Sequence, residues 1–205
     1  MSDVTIYGIP QSTYVRSCRM TCIEKGVGYD LDPLMPQSEE MLALNPTGSV
    51  PAFRHGDLLL QEASAIARYI DEIFPGPKLQ PDDAAGRAQL NLWMSLTADN
   101  FYQTMIRDIV LPRLGLVEKP EEAIVEAGKT LEVQLKRTDD TLQQRPYLAG
   151  DALSLADLFL VPILFWIEKT PEGQAALAKV PAVNSWYQKI GERKSFKETD
   201  PPMPG

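Results

Sequence analysis

Few residues in this chain are equipped to act as a general base or to hold a metal. There is one histidine, His55, in the run Arg54-His55-Gly56-Asp57. A Ser-His-Asp hydrolase would have to use it, but its setting reads as a solvated turn. Cys18 and Cys22 are the two cysteines. Four residues apart on one helix, they cannot close a disulfide of normal geometry, and one histidine beside them leaves a zinc site short of ligands. What remains is the chemistry of hydroxyls and helix ends. Ser12 stands at the start of a helical pattern, where a side-chain oxygen caps free N–H groups and partial positive charge collects. Glu62-Ala63 opens another helix, whose N-terminus is a natural seat for a carboxylate. Ser154-Leu155-Ala156-Asp157, ahead of a strongly apolar run, is a capping box that serves folding, and loss of Ser154 or Asp157 is expected to cost about 1 kcal/mol. The expected chemistry uses no metal and no histidine base.

Short elements must position these groups. Val4-Thr5-Ile6-Tyr7 is β-rich and stops at Gly8 and Pro10. From Ser12 to Lys25, Val15, Cys18, Cys22 and Ile23 recur at helical spacing, and Gly26 ends the helix. Tyr29 to Asp32 alternates as a strand and runs into a loop containing Pro33 and Pro36. Glu39 to Leu44 is a short helix and Asn45-Pro46-Thr47-Gly48 a turn. Val50 to Phe53 and Leu58 to Leu60 form a hairpin around His55-Gly56-Asp57. Glu62 to Phe74 is again helical. The order βαβ, helix, ββα describes one small open sheet carrying helices. Pro75-Gly76-Pro77 and Pro81-Asp82-Asp83 break the pattern, and helices are expected over 84–111, 121–144, 153–169 and 183–193. The tail from Asp200 should fray. The reading is an α/β domain over 1–76, a linker over 77–83 and an all-α domain over 84–205.

Composition narrows the partners. Twenty Lys and Arg against 28 Asp and Glu leave a net charge of −8 over 205 residues, which argues against a broad nucleic-acid surface. The start Met1-Ser2-Asp3-Val4 lacks a signal-peptide pattern. The longest apolar stretch, Leu155 to Ile167, contains Asp157 and Pro162 and is too short to span a bilayer. A cytoplasmic protein without membrane or nucleic-acid partners is expected.

Four segments, in this order, resemble those of the soluble glutathione transferases: Tyr7-Gly8-Ile9-Pro10-Gln11-Ser12-Thr13; Leu44-Asn45-Pro46-Thr47-Gly48-Ser49-Val50-Pro51-Ala52-Phe53; Glu62-Ala63-Ser64-Ala65-Ile66-Ala67-Arg68-Tyr69-Ile70; and Leu148-Ala149-Gly150-Asp151-Ala152-Leu153-Ser154-Leu155-Ala156-Asp157. The second and fourth are the specific ones. The similarity covers nearly the whole chain, and it looks closest to the serine-type members of plant and bacterial kinds, phi- and theta-like. It implies a thioredoxin-like N-terminal domain followed by a helical bundle.

The resemblance also implies roles. Glutathione would be the cosubstrate, its cysteinyl part pairing by strand addition with the Val50 backbone ahead of a cis Pro51, with Ser49 alongside. Glu62 would hold the γ-glutamyl ammonium and the N–H of Ala63 its carboxylate. Ser12 would stabilise the thiolate, with Thr13 the main rival and Tyr14 a weaker one. The family usually has serine where this chain has Ala63, and Ser64 is one step out of register. It has a cation where this chain has Pro36-Gln37. Phe101, Tyr102, Met105 and Trp166 are candidates for the second-substrate wall. Asp99 is either an exposed helix charge or a partner of the glutamyl ammonium. Homodimers are implied, with Arg68 and Asp71 as candidate contacts. The implied activity is detoxifying attack of the thiolate on an electrophilic, mainly apolar small molecule. The alternatives are a non-catalytic or weakly catalytic relative, or a glutathione-dependent isomerase, etherase or peroxidase.

Overall fold

The computed structural model describes residues 3–203, in two compact units: Met1–Gln80 with Glu192–Gly205, and Pro81–Gly191. Met1 and Ser2 of the expected leaderless start, and Pro204 and Gly205 of the tail, lie outside the described residues. In chain order the elements are β1 (Val4–Tyr7), α1 (Thr13–Glu24), β2 (Asp30–Asp32), α2 (Glu39–Leu44), β3 (Ala52–His55), β4 (Leu58–Gln61) and α3 (Ala63–Ile73). They are followed by α4 (Ala84–Ser95), a π-helical stretch (Leu96–Val110), α5 (Leu111–Arg113), α6 (Glu121–Leu142), α7 (Leu155–Ile167), α8 (Pro171–Leu177), α9 (Pro181–Gly191) and α10 (Lys194–Lys197).

In the first unit the sheet order is β2-β1-β3-β4. β1 is parallel to β2 and antiparallel to β3, and β3 is antiparallel to β4. Val4, Ile6, Phe53, Val15, Cys18, Ile66 and Ile70 are buried, so the sheet and the helices α1 and α3 share one apolar core. Each such large side chain contributes about 1.5–3 kcal/mol by leaving water. The strand β3 extends through His55, which corrects the expectation of a solvated turn residue. The turn is Gly56-Asp57, and the His55 ring lies 5.0 Å from that of Phe74, with Nδ1 2.8 Å from the Tyr69 hydroxyl.

The segment 192–199 belongs with this unit, and so departs from the expected 84–205 helical domain. The reason is that α1 carries two buried charges whose partners lie there. Arg16, 1% exposed, donates to the Phe196 and Thr199 oxygens and lies against the Phe196 ring. Glu24 accepts from Arg193 at 2.8 and 2.6 Å and from the Ser195 hydroxyl. The tail reaches Thr199 and Pro201 buried rather than frayed.

Burial pushes the Glu24 carboxyl up, but the hydrogen bonds from Arg193 and Ser195 and the Arg193 charge outweigh it and hold the group below its ordinary 4.5. Its contribution to stability is therefore present above that value and is lost as pH falls through the folded one. Glu24→Gln is expected to lower stability by about 1–2 kcal/mol at neutral pH and to flatten the acid limb of the stability curve between about pH 5 and 3. Urea unfolding across that range checks both.

Asp71 corrects the expected dimer contact. It is buried and accepts from Lys25 Nζ at 2.9 Å, the Leu79 N–H at 2.9 Å and Gln80 at 3.2 Å. Arg68 donates to Gln80 at 3.0 Å. Asp71 ties α3 to Lys25 at the end of α1 and to Leu79 and Gln80, and Arg68 ties it to Gln80.

In the second unit, Asp83 caps α4 by accepting the Gly86 N–H at 2.9 Å. The helix then runs without a break through the π-wound stretch, in which the Leu111 N–H bonds back to Ile106. All thirteen residues of α7 are buried, Pro162 included. α8 was not expected from the sequence. Thr170 caps it and Pro171 takes the first helical position, where its missing N–H does no harm. Among the described residues no helix is long and apolar enough to cross a membrane, and no cluster of His, Cys, Asp or Glu could hold a metal ion.

Candidate active site

Three pieces of backbone meet in the first unit because Gly8 has no side chain. Its φ is +139°, and a Cβ there would lie 2.7 Å from Val15 Cγ2 and 2.8 Å from Val50 Cβ. Glycine thus lets the loop before β3 settle on the first turn of α1. Gly8→Ala combines a collision with a disfavoured backbone angle and is expected to destabilise the protein by about 2–4 kcal/mol, read by thermal unfolding. The sequence signalled only a turn at this residue.

Ser12 is the N-cap of α1. Its Oγ accepts the Val15 N–H at 3.4 Å, and its own N–H bonds the Ile9 carbonyl. The side chain is half-buried, and among the described residues its hydroxyl proton has no acceptor. It is a donor at the positive end of a helix. Thr13 is buried, 4% exposed, and Tyr14 is half-buried. Cys18 and Cys22 are buried without a disulfide. Burial raises the Cys18 thiol well above its ordinary range and the Cys22 thiol to about 12, so neither is a thiolate near neutrality. The Cys18 thiol instead donates to the Ala63 carbonyl at 3.7 Å, tying α1 to the start of α3.

The loop before β3 is organised by Asn45, buried at 3% exposure. Its Nδ2 donates to the Ser49 carbonyl at 2.8 Å and to Ser49 Oγ at 3.0 Å, and its Oδ1 accepts the Thr47 N–H and hydroxyl. Gln61 braces the same loop by donating to the Leu44 carbonyl at 2.7 Å. The Val50–Pro51 bond is cis. Beyond the end of β3, neither the N–H nor the carbonyl of Val50 has a hydrogen-bond partner among the described residues, which leaves a short backbone edge that an extended peptide can extend.

The register Ala52↔Gln61 places Glu62-Ala63 beside Pro51. Glu62 takes φ +67° and ψ 107°, an uncommon conformation for a non-glycine residue, and holds the N-cap position of α3 without a capping side-chain bond. Such a conformation costs about 1–3 kcal/mol and marks functional loops. The Glu62 side chain is exposed, and the first-turn N–H groups of α3 have no partners within the helix. Ala63 supplies no hydroxyl, and Ser64, about 100° further round the helix, is exposed.

Ser12, Ser49, Val50, Pro51, Glu62 and Ala63 therefore all belong to the first unit and are joined by the contacts at Gly8, Cys18 and Gln61. The four residues expected along the second-substrate wall lie in the second unit. Phe101, Met105 and Trp166 are buried there. Phe101 packs edge-on to Trp93 and Trp166 edge-on to Phe165. Tyr102 is half-exposed, with the Arg107 guanidinium 5.7 Å from its ring. Asp99 is exposed.

A hydroxyl donor at one helix end, an unpaired strand segment beside a cis-proline, and a second helix end flanked by a carboxylate define a thioredoxin-like unit, here accompanied by a helical one. Residues 6–78 match the family profile of the glutathione S-transferase N-terminal domain, and residues 93–194 that of its C-terminal domain. Glutathione S-transferase 3 of Zea mays is 30% identical over 223 residues, spanning 100% of this chain and 96% of its own. The solved glutathione transferase F7 of Populus trichocarpa superposes with TM-score 0.85 at 27% identity, covering 96% and 97% of the two chains. A theta-class glutathione S-transferase of Xanthomonas axonopodis pv. citri, solved with glutathione bound, superposes with TM-score 0.82 at 30% identity over 97% of each. The chain belongs to the glutathione S-transferase family.

Proposed function

We propose that the Ser12 hydroxyl stabilises the thiolate of glutathione held along the Val50 edge, so that the sulfur attacks an electrophilic, mainly apolar small molecule. The observation that carries this reading is the Ser12 proton, without an acceptor among the described residues, on an oxygen that already accepts the Val15 N–H. Free thiols of this kind ionise near pH 8.5, so only a few per cent is thiolate at neutrality. A donor backed by the partial charge of α1 favours the anion, and each pKa unit is worth about 1.4 kcal/mol. The thiol proton leaves to solvent, and the sulfur lone pair forms the new bond to carbon as a leaving group departs with its bonding electrons, or as the electrons of an activated double bond move onto its acceptor group.

Val50 offers its N–H and carbonyl to the cysteinyl residue, with Ser49 and Pro51 flanking. The exposed Glu62 carboxylate faces the γ-glutamyl ammonium, and the Ala63 N–H at the start of α3 takes the neighbouring carboxylate. The protein acts in the cytoplasm as a homodimer, and a single monomeric species in sedimentation at micromolar concentration would refute the dimer.

One observation favours a weaker catalyst. The backbone at Ala63 lacks the hydroxyl that serine would bring, a hydrogen bond to charge of about 1.5–3 kcal/mol. The deciding experiment is a pH titration of thiolate absorbance for glutathione bound to the pure protein. A bound thiol ionising well below the free one supports catalysis, whereas saturable binding with an unshifted thiol identifies a binding protein.

A further inference from the structure

The end of the site away from α3 is built without a cation, and this bears on which thiol it takes. Given the glutathione reading above, on which this inference rests, the orientation of the peptide follows from the register. Glu62-Ala63 lies beside Pro51 through the pair Ala52↔Gln61. A peptide whose γ-glutamyl end sits there and whose cysteinyl residue pairs with Val50 must run antiparallel to 49–51. Its glycyl carboxylate then falls against Ser49, Gly48 and Gln37.

Among the described residues, the donors on that wall are engaged within the chain except for one of the two Gln37 amide protons. Gln37, at φ +65°, gives its N–H to the Gly48 carbonyl at 2.9 Å and its Nε2 to the Thr47 carbonyl at 2.8 Å. Its amide covers Gly48 so closely that a Cβ on that glycine would lie 2.6 Å from Nε2. The Gly48 N–H bonds the Asn45 carbonyl. The Thr47 hydroxyl donates to Asn45 Oδ1, so the 2.7 Å bond between Thr47 and Ser49 takes its proton from Ser49. Between Lys25 and Arg54 the sequence has no Lys, Arg or His, but it has Asp30, Asp32, Glu39 and Glu40. An ionised carboxylate here meets, from this stretch of chain, one neutral amide proton, no cation and four acidic residues.

We infer that this site does not select for the terminal carboxylate of its thiol cosubstrate. It accepts γ-glutamyl-cysteinyl thiols whose far end is neutral at least as readily as glutathione itself. A cationic wall would favour the carboxylate by about ten- to hundredfold, the worth of one hydrogen bond between charged groups.

The test measures, on the full chain, calorimetric dissociation constants for glutathione, its glycyl monoethyl ester and γ-glutamylcysteine methylamide, at low and high sodium chloride. The expected result is that the ester and the methylamide bind within about threefold of glutathione or more tightly, and that salt strengthens glutathione relative to the ester by screening the acidic stretch. Gln37→Lys should then shift the balance toward glutathione by about tenfold. A preference of tenfold or more for glutathione over the ester in the unaltered protein overturns the inference alone. An unchanged ratio in Gln37→Lys also overturns it, by placing the glycyl end elsewhere. No binding of any of the three thiols at millimolar concentration overturns the glutathione reading, and the inference with it.

Discussion

Replacing Ser12 by alanine is expected to lower turnover by about ten- to a thousandfold, the range associated with removing one oriented donor from a developing or resting anion. The fold should survive, because the substitution removes an N-cap bond of 3.4 Å that contributes about 1 kcal/mol. The diagnostic pair of measurements is the ionisation of bound glutathione and the pH dependence of turnover. In the native protein both should titrate below the free thiol. In Ser12→Ala both should move up together, since the same hydrogen bond sets both. Threonine at this position keeps the hydroxyl and the cap, and should retain most of the shift. If Ser12→Ala turns over at the native rate, the donor is Thr13 or a backbone N–H of the first turn. Thr13 is the weaker candidate because its side chain is 4% exposed.

The second large effect lies far from the sulfur. Asp157 was read in the sequence as one half of a capping box worth about 1 kcal/mol. The structure confirms the box and enlarges its work. The fully buried carboxylate accepts from the Leu148 N–H at 2.9 Å, the Ser154 N–H at 2.9 Å, the Ser154 hydroxyl at 2.8 Å and the Trp186 indole N–H at 2.9 Å. It joins α7 to the turn before it and to α9. Asp157→Ala leaves three buried N–H donors without acceptors, each costing about 1–3 kcal/mol before relaxation. A total loss of about 3–5 kcal/mol is expected. For a chain of this size that lowers the melting temperature by about 10 °C or more, read by calorimetry. Burial pushes this carboxyl above its ordinary 3.8 against the pull of its four hydrogen bonds. Its linkage therefore has the opposite sign to that of Glu24: its stabilisation is greatest below 3.8 and declines as pH rises through the folded value. Asp157→Asn, which does not titrate, should remove that slope.

Much of this was legible because it is local. The run Val4 to Tyr7 and the hairpin around Gly56-Asp57 announce themselves through β-branched and turn residues, and Ser154-x-x-Asp157 through its spacing. Ser12, Val50 and Glu62 were legible by resemblance, since each sits inside a short motif. What stayed hidden depends on partners distant in sequence. Nothing near Gly8 says that Val50 will press on it, and nothing near Asp71 says that Lys25 will bury beside it. Gln37 looked like a missing cation, whereas its amide turns out to build the Gly48 turn. The positive φ of Glu62 had no local signature, because glutamate seldom adopts it. The π winding of Leu96–Val110 and the short α8 lack a strong apolar period of their own. The tail is the clearest case. Arg193 and Ser195 read as the end of a helical domain, yet their partner, Glu24, was made long before them.

That tail has a consequence for biosynthesis. The bonds from Arg16 to Phe196 and Thr199, and from Arg193 to Glu24, cannot form until residues 193–199 have emerged from the ribosome, after the whole of Pro81–Gly191. The helical unit is thus made as an insertion into an unfinished partner. A nascent chain paused within it presents a thioredoxin-like sheet whose α1 still lacks the bonds that Phe196, Thr199 and Arg193 will make to it. Premature stops after α9 would then injure the part of the molecule translated first, and they would surface as a defect in handling glutathione rather than in the helical bundle they interrupt.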